Sequence, residues 1–486
     1  MRISEQLFIG GEWVAPSGTA TIEVVSPHSE EVVGRVPEGR EADMDRAVAA
    51  ARAAFDRGPW PRMRPSERAD VMGALLAALQ KRSEEMAVTI TTEMGSPISF
   101  SNMGQVMAAH MVLDTFQQLA RTYAFEEVRA GMLGPALVRR EPVGVAAAIV
   151  PWNVPLFVTM LKLAPALAAG ATVVLKPAPE TPLSAILLAD AAIEAGLPKG
   201  VLNIVPAGRE VGEYLVTHPD IDKVSFTGST AAGRRIGALC GERLRRVTLE
   251  LGGKSAAIIL DDADLDMAIP GVLPAAIMNN GQACVAQTRI LASKKRYAEV
   301  VDAFAGMLKL MKVGDPMEFD TFCGPLVSER QRERVEGYIR IGKEEGARIA
   351  LGGGRPAGLT RGWYVEPTVF AGVDNSMRIA REEIFGPVVS VIAYDDVADA
   401  VRIANDSDYG LSGSVWCADV EEGIDIARQV RTGTYTVNGF AMEFGSPFGG
   451  FKASGIGREL GPEGLEAYLE SKTINLPMGY EAKPQS

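Results

Sequence analysis

Histidine and cysteine are both scarce in this chain, and the scarcity narrows its chemistry. There are three histidines, His28, His110 and His218, none in an HExxH or other ligand spacing, and four cysteines, Cys240, Cys284, Cys323 and Cys417, with no CxxC pair. A disulfide framework, a zinc site and a histidine triad are all poorly supplied, so no metal is expected and the histidines receive no role. Basic charge is also short: Lys plus Arg is 49 against 61 for Asp plus Glu, a net charge of -12 with no basic block. Nothing here neutralises phosphates as a nucleic-acid partner requires. Long apolar runs are missing as well. The longest, 155–175, is interrupted by Lys162, Pro165 and Gly170, which predicts a buried helix followed by a strand and no membrane span. The opening MRISEQLFIGGEWV has no basic segment leading into an apolar one, so a cytoplasmic protein is expected.

What is present reads as an ordinary globular protein: 47% hydrophobic and 23% charged over 486 residues. At about 150 residues per domain that length suggests about three units. Residues 41–57 and 66–86 are Ala- and Leu-rich with apolar positions three and four apart, predicting two amphipathic helices. Apolar runs at 143–150, 171–175, 201–205, 223–227 and 247–251 then alternate with helical patterns at 156–169, 183–195, 210–217 and 231–240. Near-continuous β-branched runs separated by helices are what a parallel sheet covered on both faces demands. A second alternation puts strands at 256–260, 290–292, 368–370, 388–394 and 413–415, and helices at 264–277, 296–310, 328–345 and 397–404. The expected fold is therefore α/β with two doubly wound, Rossmann-like units, and 351–354 reads as a turn.

In such a sheet ligands gather beyond the carboxyl ends of the strands, where helix N-termini offer free N–H groups. Two predicted strands end there in Lys176-Pro177 and in Gly228-Ser229-Thr230; Gly228 permits close approach, and Ser229 can cap a helix and donate to phosphate. A solvated lysine and a capped turn would look the same. GxGxxG is absent, and Gly253-Lys254-Ser255 fails as a phosphate-binding P-loop because position 248 is Thr. Glu250 closes a strand in VTLELGGKS, where desolvation would raise it toward a useful general base; pairing with Arg243, Arg245 or Arg246 is the plainer alternative. Cys284, in NNGQACVAQTR, is either a small buried residue or a reactive thiol in a polar loop. Asn153, in VPWNVP, is a turn residue or an amide placed to hold an oxyanion.

Seven motifs stand in order: Pro151-Trp152-Asn153, Lys176-Pro177, Phe226-Thr227-Gly228-Ser229-Thr230, Glu250-Leu251-Gly252-Gly253-Lys254-Ser255, Gly281-Gln282-Ala283-Cys284, Glu382-Glu383-Ile384-Phe385-Gly386-Pro387 and Ser446-Pro447-Phe448-Gly449-Gly450-Phe451-Lys452. Together they resemble the aldehyde dehydrogenase superfamily over essentially the whole chain. The resemblance implies NAD(P)-dependent oxidation of an aldehyde to the acid without a metal. Cys284 would be the nucleophile, Asn153 with the Cys284 N–H the oxyanion site, and Glu250 the base for thioester hydrolysis. It further implies a cofactor site using Ile149 and Trp152, Lys176 at the adenosine ribose, Gly208 and Gly212 near adenine, Phe226, Gly228 and Ser229 near the pyrophosphate, and Leu251, Glu383 and Phe385 beside the nicotinamide riboside.

The implied division is a cofactor domain at 1–122 and 142–252, a catalytic domain at 253–463, and an oligomerisation arm at 123–141 and 464–486, hence a homodimer or homotetramer. NAD is the expected cofactor, with NADP as the alternative, since Pro179 stands where many NAD-preferring relatives carry Glu. The positions that flank the aldehyde in relatives are here Val154, Val158, Val285 and Phe448, all apolar, so the resemblance implies an uncharged aliphatic or aromatic aldehyde. Glu250 weighs against a CoA-acylating relative, and Cys284, Glu250 and Asn153 together against a non-catalytic dinucleotide-binding protein; a cofactor-independent esterase side activity through Cys284 would coexist with the main reading.

Overall fold

The computed structural model describes residues 2–480. Its first sheet is centred on five parallel strands in the spatial order Arg246–Glu250, Lys223–Thr227, Val145–Ile149, Thr172–Lys176 and Leu202–Ile204. The chain enters at Val145–Ile149, builds to one side and then crosses to the other. This leaves a switch point between Val145–Ile149 and Lys223–Thr227, where the loops diverge and a crevice opens. Every residue of the central strands Val145–Ile149, Thr172–Lys176 and Lys223–Thr227 is buried, as a sheet covered on both faces requires.

Antiparallel additions close both edges. The hairpin Leu7–Ile9 with Glu12–Val14 covers one, and Gly455–Ile456 covers the other by pairing with Leu249 and Glu250. A segment from late in the chain lies on the first sheet, because Gly455 takes a φ of 146° and packs against the Leu249 carbonyl, where a Cβ would sit 2.0 Å away.

The second sheet runs Arg348–Leu351, Thr368–Val373, Val388–Tyr394, Arg289–Ser293, Ala256–Ile259, Gly413–Trp416 and Thr436–Val437, parallel except for its first strand. A small antiparallel sheet joins Glu126–Arg129, Ala136–Pro142 and Leu469–Asn475. The fold is thus two doubly wound, Rossmann-like α/β sheets with a β-arm. Residues 481–486, at the end of the expected arm, lie outside the described residues.

Pro155–Ala169 starts with Pro at its first position, is buried along its whole length and ends at Gly170 with a left-handed φ of 94°. With the strand Thr172–Lys176 after it, the long apolar run resolves as expected, and among the described residues no helix is long and apolar enough to cross a membrane. The single helix expected at 66–86 is instead two, Pro65–Gln80 and Ser83–Met94. Lys81 and Arg82 both turn to Glu194, and Arg82 leaves helical geometry at φ -107° and ψ 9°, while Glu84 and Glu85 favour a fresh N-terminus.

Candidate active site

The crevice at the switch point is a cleft of about 210 Å³. Trp152 and Asn153 reach it from the loop after Val145–Ile149, Gly228 and Ser229 from the turn after Lys223–Thr227, and Glu250 and Leu251 from the end of Arg246–Glu250. Cys284, Glu383 and Phe385 come from the second unit and complete the wall. Nine residues from five separate stretches of the chain therefore converge where the strand ends of the first sheet share one edge facing the second unit.

The segment carrying Cys284 follows the helix Leu265–Ile277 and begins with three left-handed residues, Asn279, Asn280 and Gly281, with φ of 54°, 62° and 71°. Asparagine tolerates this conformation better than other side-chain-bearing residues, and here each amide is also used. Asn279 Nδ2 donates to the Asn153 carbonyl at 2.8 Å; Asn280 Nδ2 donates to the Gly95 and Pro325 carbonyls, both at 2.8 Å. Gly281 must be glycine, because a Cβ would lie 2.2 Å from the Gly386 backbone. In return Asn153 Nδ2 donates to the Gln282 carbonyl at 2.9 Å, which leaves its second N–H free to donate.

Cys284 is half-buried, and its thiol hydrogen-bonds to the carboxyl of Glu250, which is 2% exposed. Burial pushes Glu250 up to about 8, helped by the nearby charge of Glu459 and opposed by the Cys284 contact and by Lys162. Burial and the adjacent Glu250 hold the Cys284 thiol well above its ordinary range. Among the described residues Glu250 Oε1 has no hydrogen-bond partner, so one carboxyl oxygen is available to a reactant. The arginine pairing does not form: Arg246 takes Glu470, and Arg245 takes the carbonyls of Val216 and His218.

The remaining sequence candidates line up along the same edge. Ser229 caps Thr230–Glu242 by accepting from Ala232 N at 3.3 Å. A Cβ on Gly228 would meet the Phe226 ring at 2.5 Å. Trp152 stands edge-on to Phe385 at 5.3 Å, and Phe385 adopts an uncommon φ of 63°. Glu383 Oε1 accepts from Gly253 N at 2.9 Å, with burial raising its carboxyl to about 6.

Ile149, Lys176, Gly208, Gly212 and Phe226 are not on the wall of the cleft itself. Ile149 ends its strand. Lys176 Nζ donates to the Pro177 and Ala207 carbonyls at 3.0 and 2.8 Å, and burial brings it down to about 8. Gly208 precedes the helix Arg209–Thr217, whose Gly212 faces Lys176 so closely that a Cβ would be 3.1 Å from Lys176 Cε. Cys240, Cys323 and Cys417 are buried and unpaired, as a structural assignment expects.

Sequence reasoning missed two supports. Gln331 and Arg334 reach the cleft from Glu329–Glu344, where Gln331 Nε2 donates to the Phe385 carbonyl at 2.7 Å and Arg334 to the Glu383 carbonyl at 2.6 Å. The helix is so charged that these two look like part of a solvated face. Lys162, read only as an interruption, makes a buried pair with Glu459 at 2.5 Å and donates to Thr227 Oγ1 at 2.7 Å. A lysine inside an otherwise apolar helix was the available signal.

Comparison with known proteins agrees with this geometry. A model of the aldehyde dehydrogenase family matches residues 13–474. The chain is 48% identical to a geranial dehydrogenase of Castellaniella defragrans, over 98% of this chain and 100% of that protein. It is 44% identical to a 3-succinoylsemialdehyde-pyridine dehydrogenase of a Pseudomonas species, over 99% and 100%. Among solved structures, a Mycobacterium tuberculosis aldehyde dehydrogenase complexed with NAD+ superposes with a TM-score of 0.98 at 52% identity, covering 99% of this chain and all of that one. A mutant of aldehyde dehydrogenase C from Pseudomonas syringae, complexed with NAD+ and octanal, gives 0.94 at 45% identity over 97% and 96%. The chain belongs to the aldehyde dehydrogenase family.

Proposed function

We propose that the protein oxidises an uncharged, hydrophobic aldehyde to its carboxylic acid with NAD, using Cys284 as nucleophile. The observation that carries this reading is the contact between the Cys284 thiol and the Glu250 carboxyl at the cleft. The residues suit a dinucleotide: Ser229 caps a helix whose N-terminus opens on the switch point, and Gly252 leaves space where a Cβ would lie 2.5 Å from the Glu383 carboxylate. Trp152, Gly228, Ser229, Leu251, Glu383 and Phe385 would hold it, with Ile149, Lys176, Gly208, Gly212 and Phe226 serving its adenosine and pyrophosphate end. NAD, when bound, supplies the hydride acceptor.

Glu250 takes the thiol proton as Cys284 Sγ adds to the carbonyl carbon, forming a thiohemiacetal. The oxyanion accepts from the free Asn153 N–H and from the Cys284 backbone N–H. Loss of hydride leaves a thioester on Cys284. Glu250 passes that proton to solvent and then deprotonates a water, which attacks the thioester carbon; the acid leaves, and the proton on Glu250 returns to the Cys284 thiolate. A base raised to about 8 is well matched to both proton transfers.

The substrate reading rests on the apolar side chains Val154, Val158, Val285 and Phe448, beside which Phe157 and Phe444 pack with ring centres 6.2 Å apart. The names of two relatives, a geranial dehydrogenase and an octanal complex, point the same way. The cofactor reading rests on Glu180, whose charge acts on Lys176 and so presents a carboxylate near the ribose end, unfavourable to a 2'-phosphate; NADP is the alternative.

We retain the division into a cofactor domain at 1–122 and 142–252 and a catalytic domain at 253–463, with the Gly455–Ile456 strand seated on the first sheet. The arm at 123–141 and 464–486 makes the protein a homodimer or homotetramer; its exposed Met132, Leu133 and Met478 favour burial against another copy. The four unpaired thiols suit a reducing compartment, and the cytoplasm is the proposed location.

The test follows absorbance at 340 nm with octanal, geranial, benzaldehyde and succinic semialdehyde, each with NAD and NADP, and identifies the product. NAD reduction with the first three, with free acid formed whether or not CoA is added, supports the reading. A strong preference for the charged semialdehyde would overturn the substrate class, and an acyl-CoA product the hydrolytic step.

A further inference from the structure

The loop that carries Asn153 is poorly served by its own backbone. Pro151 and Pro155 flank it, and neither supplies an N–H. The Asn153 carbonyl accepts instead from Asn279 Nδ2 at 2.8 Å, and among the described residues from no other group. The same amide nitrogen reaches the Gln282 carbonyl at 3.3 Å, and that carbonyl also accepts from Asn153 Nδ2 at 2.9 Å. Three residues thus close a ring of hydrogen bonds between the loop of the first sheet and the segment that ends in Cys284.

The ring is shielded from solvent, with Asn153, Asn279 and Gln282 at 3%, 1% and 0% exposed. A buried carbonyl that loses its donor is costly, so breaking one side of the ring disturbs the others. Both targets of Asn279 are carbonyl oxygens. Only its N–H groups are used, and among the described residues its Oδ1 has no partner. The neighbouring Asn280 is employed differently: its Oδ1 accepts from Gly324 N at 2.6 Å while its Nδ2 holds Gly95 and Pro325. That amide is satisfied on both sides, and among the described residues it makes no hydrogen bond to Asn153. The Gln282 side chain anchors the segment separately, its Oε1 accepting from Val327 N at 3.1 Å.

We propose that Asn279 is a positioning residue for the oxyanion site: it pins the Asn153 backbone so that the Asn153 N–H not taken by Gln282 keeps its aim at the reacting oxygen. This rests on the reading of Asn153 as an oxyanion donor. The two N–H groups of a primary amide diverge at a fixed angle in one plane, so holding the backbone carbonyl and one N–H sets the direction of the other. Asn153 comes from the first sheet, whereas Asn279 and Gln282 come from the second unit. The ring therefore carries the oxyanion donor and the nucleophile segment as one piece. A donor that loses its aim loses hold of charge that develops during reaction, so the cost falls on the chemical step and little on aldehyde binding.

A double-mutant cycle in the full-length protein tests the proposal, with octanal and NAD as reactants and the rate of NADH formation in the first turnover as the readout. Asn279→Gly removes the amide and keeps the left-handed backbone, φ 54°, without strain. It should slow the first turnover about 10–50-fold, with the octanal KM within about threefold and NAD affinity within about twofold of wild type. On an Asn153→Ala background the same substitution should cost less than about threefold more, because the donor it aims is already gone. Asn280→Gly is the comparison: it removes an amide from an equally left-handed neighbour, φ 62°, and its effect should multiply with that of Asn153→Ala. Asn279→Ser, which keeps one donor, should fall between and carries the cycle if the glycine variant does not fold. If the Asn279 and Asn153 factors multiply instead, the positioning role is overturned and the oxyanion reading stands. A wild-type first turnover in Asn153→Ala would overturn that reading and this inference with it.

Discussion

The two walls of the cleft are built by opposite means. On the side assigned to the cofactor, from the cleft wall out to the Lys176 strand end beyond it, shape comes from what is missing: Gly212 spares Lys176, Gly228 spares the Phe226 ring, Gly233 lets its helix settle on Leu251, and Gly252 makes room for Glu383. On the wall of the nucleophile, shape comes from side-chain amides that grip backbone, with Asn153, Asn279 and Asn280 each donating to a carbonyl. A wall made by omission sets which molecule fits, whereas a wall made by tethering fixes where reacting atoms stand. Substitutions on the first should therefore appear mainly in KM for the cofactor, and those on the second mainly in kcat.

The sharpest division is expected at Cys284. Cys284→Ala should reduce aldehyde oxidation by at least about 10⁴-fold, while calorimetry finds NAD affinity within about twofold of wild type. Glu250→Gln comes next, with turnover down about 10²–10⁴-fold. Wild-type turnover should climb as pH rises through about 8, where Glu250 loses its proton, and the glutamine variant should lose that limb.

The same carboxyl makes a stability prediction. Its pKa is raised from 4.5 in the unfolded chain to about 8 in the fold, so its favourable contribution is complete below 4.5 and is lost as pH rises through about 8. Scanning calorimetry should find Glu250→Gln gaining on wild type from pH 5 to pH 9. Removing the Asn153 amide with Asn153→Ala should lower kcat about 10²–10³-fold, with the aldehyde KM changed far less. The smallest effect belongs to the wall of omissions: Gly212→Val, forced against Lys176, should raise the NAD KM about five- to tenfold and leave saturating turnover nearly intact. Equal losses of kcat and KM in both sets would break the distinction between the walls.

Legibility followed the range of the forces involved. Strand Lys223–Thr227 and its Ser229 cap are local pattern, and the expected boundaries match the structure to the residue. Helix Pro65–Gln80 ends early because Lys81 and Arg82 answer to Glu194, more than a hundred positions away, and no periodicity encodes that. The cleft behaves alike. Glu250, Cys284 and Asn153 stand in recognisable runs, but the Lys162–Glu459 pair beneath them spans 297 positions, and Gln331 and Arg334 are hidden among like-charged neighbours on an amphipathic helix. Left-handed Asn279 and Asn280 were readable in principle, since Asn-Asn-Gly is the composition such a turn selects.

The strand at Gly455–Ile456 bears on how such a protein can be divided and recombined. It is the outer neighbour of the strand that ends in Glu250, and Leu251 N donates to the Ser454 carbonyl at 3.0 Å just beyond it. A fragment cut near residue 253 would leave the strand of the base as a bare sheet edge, open to pairing with any passing chain. A hybrid that takes its first half from one parent must therefore inherit this late strap from the same parent, so the smallest exchangeable unit is discontinuous in the gene though continuous in space.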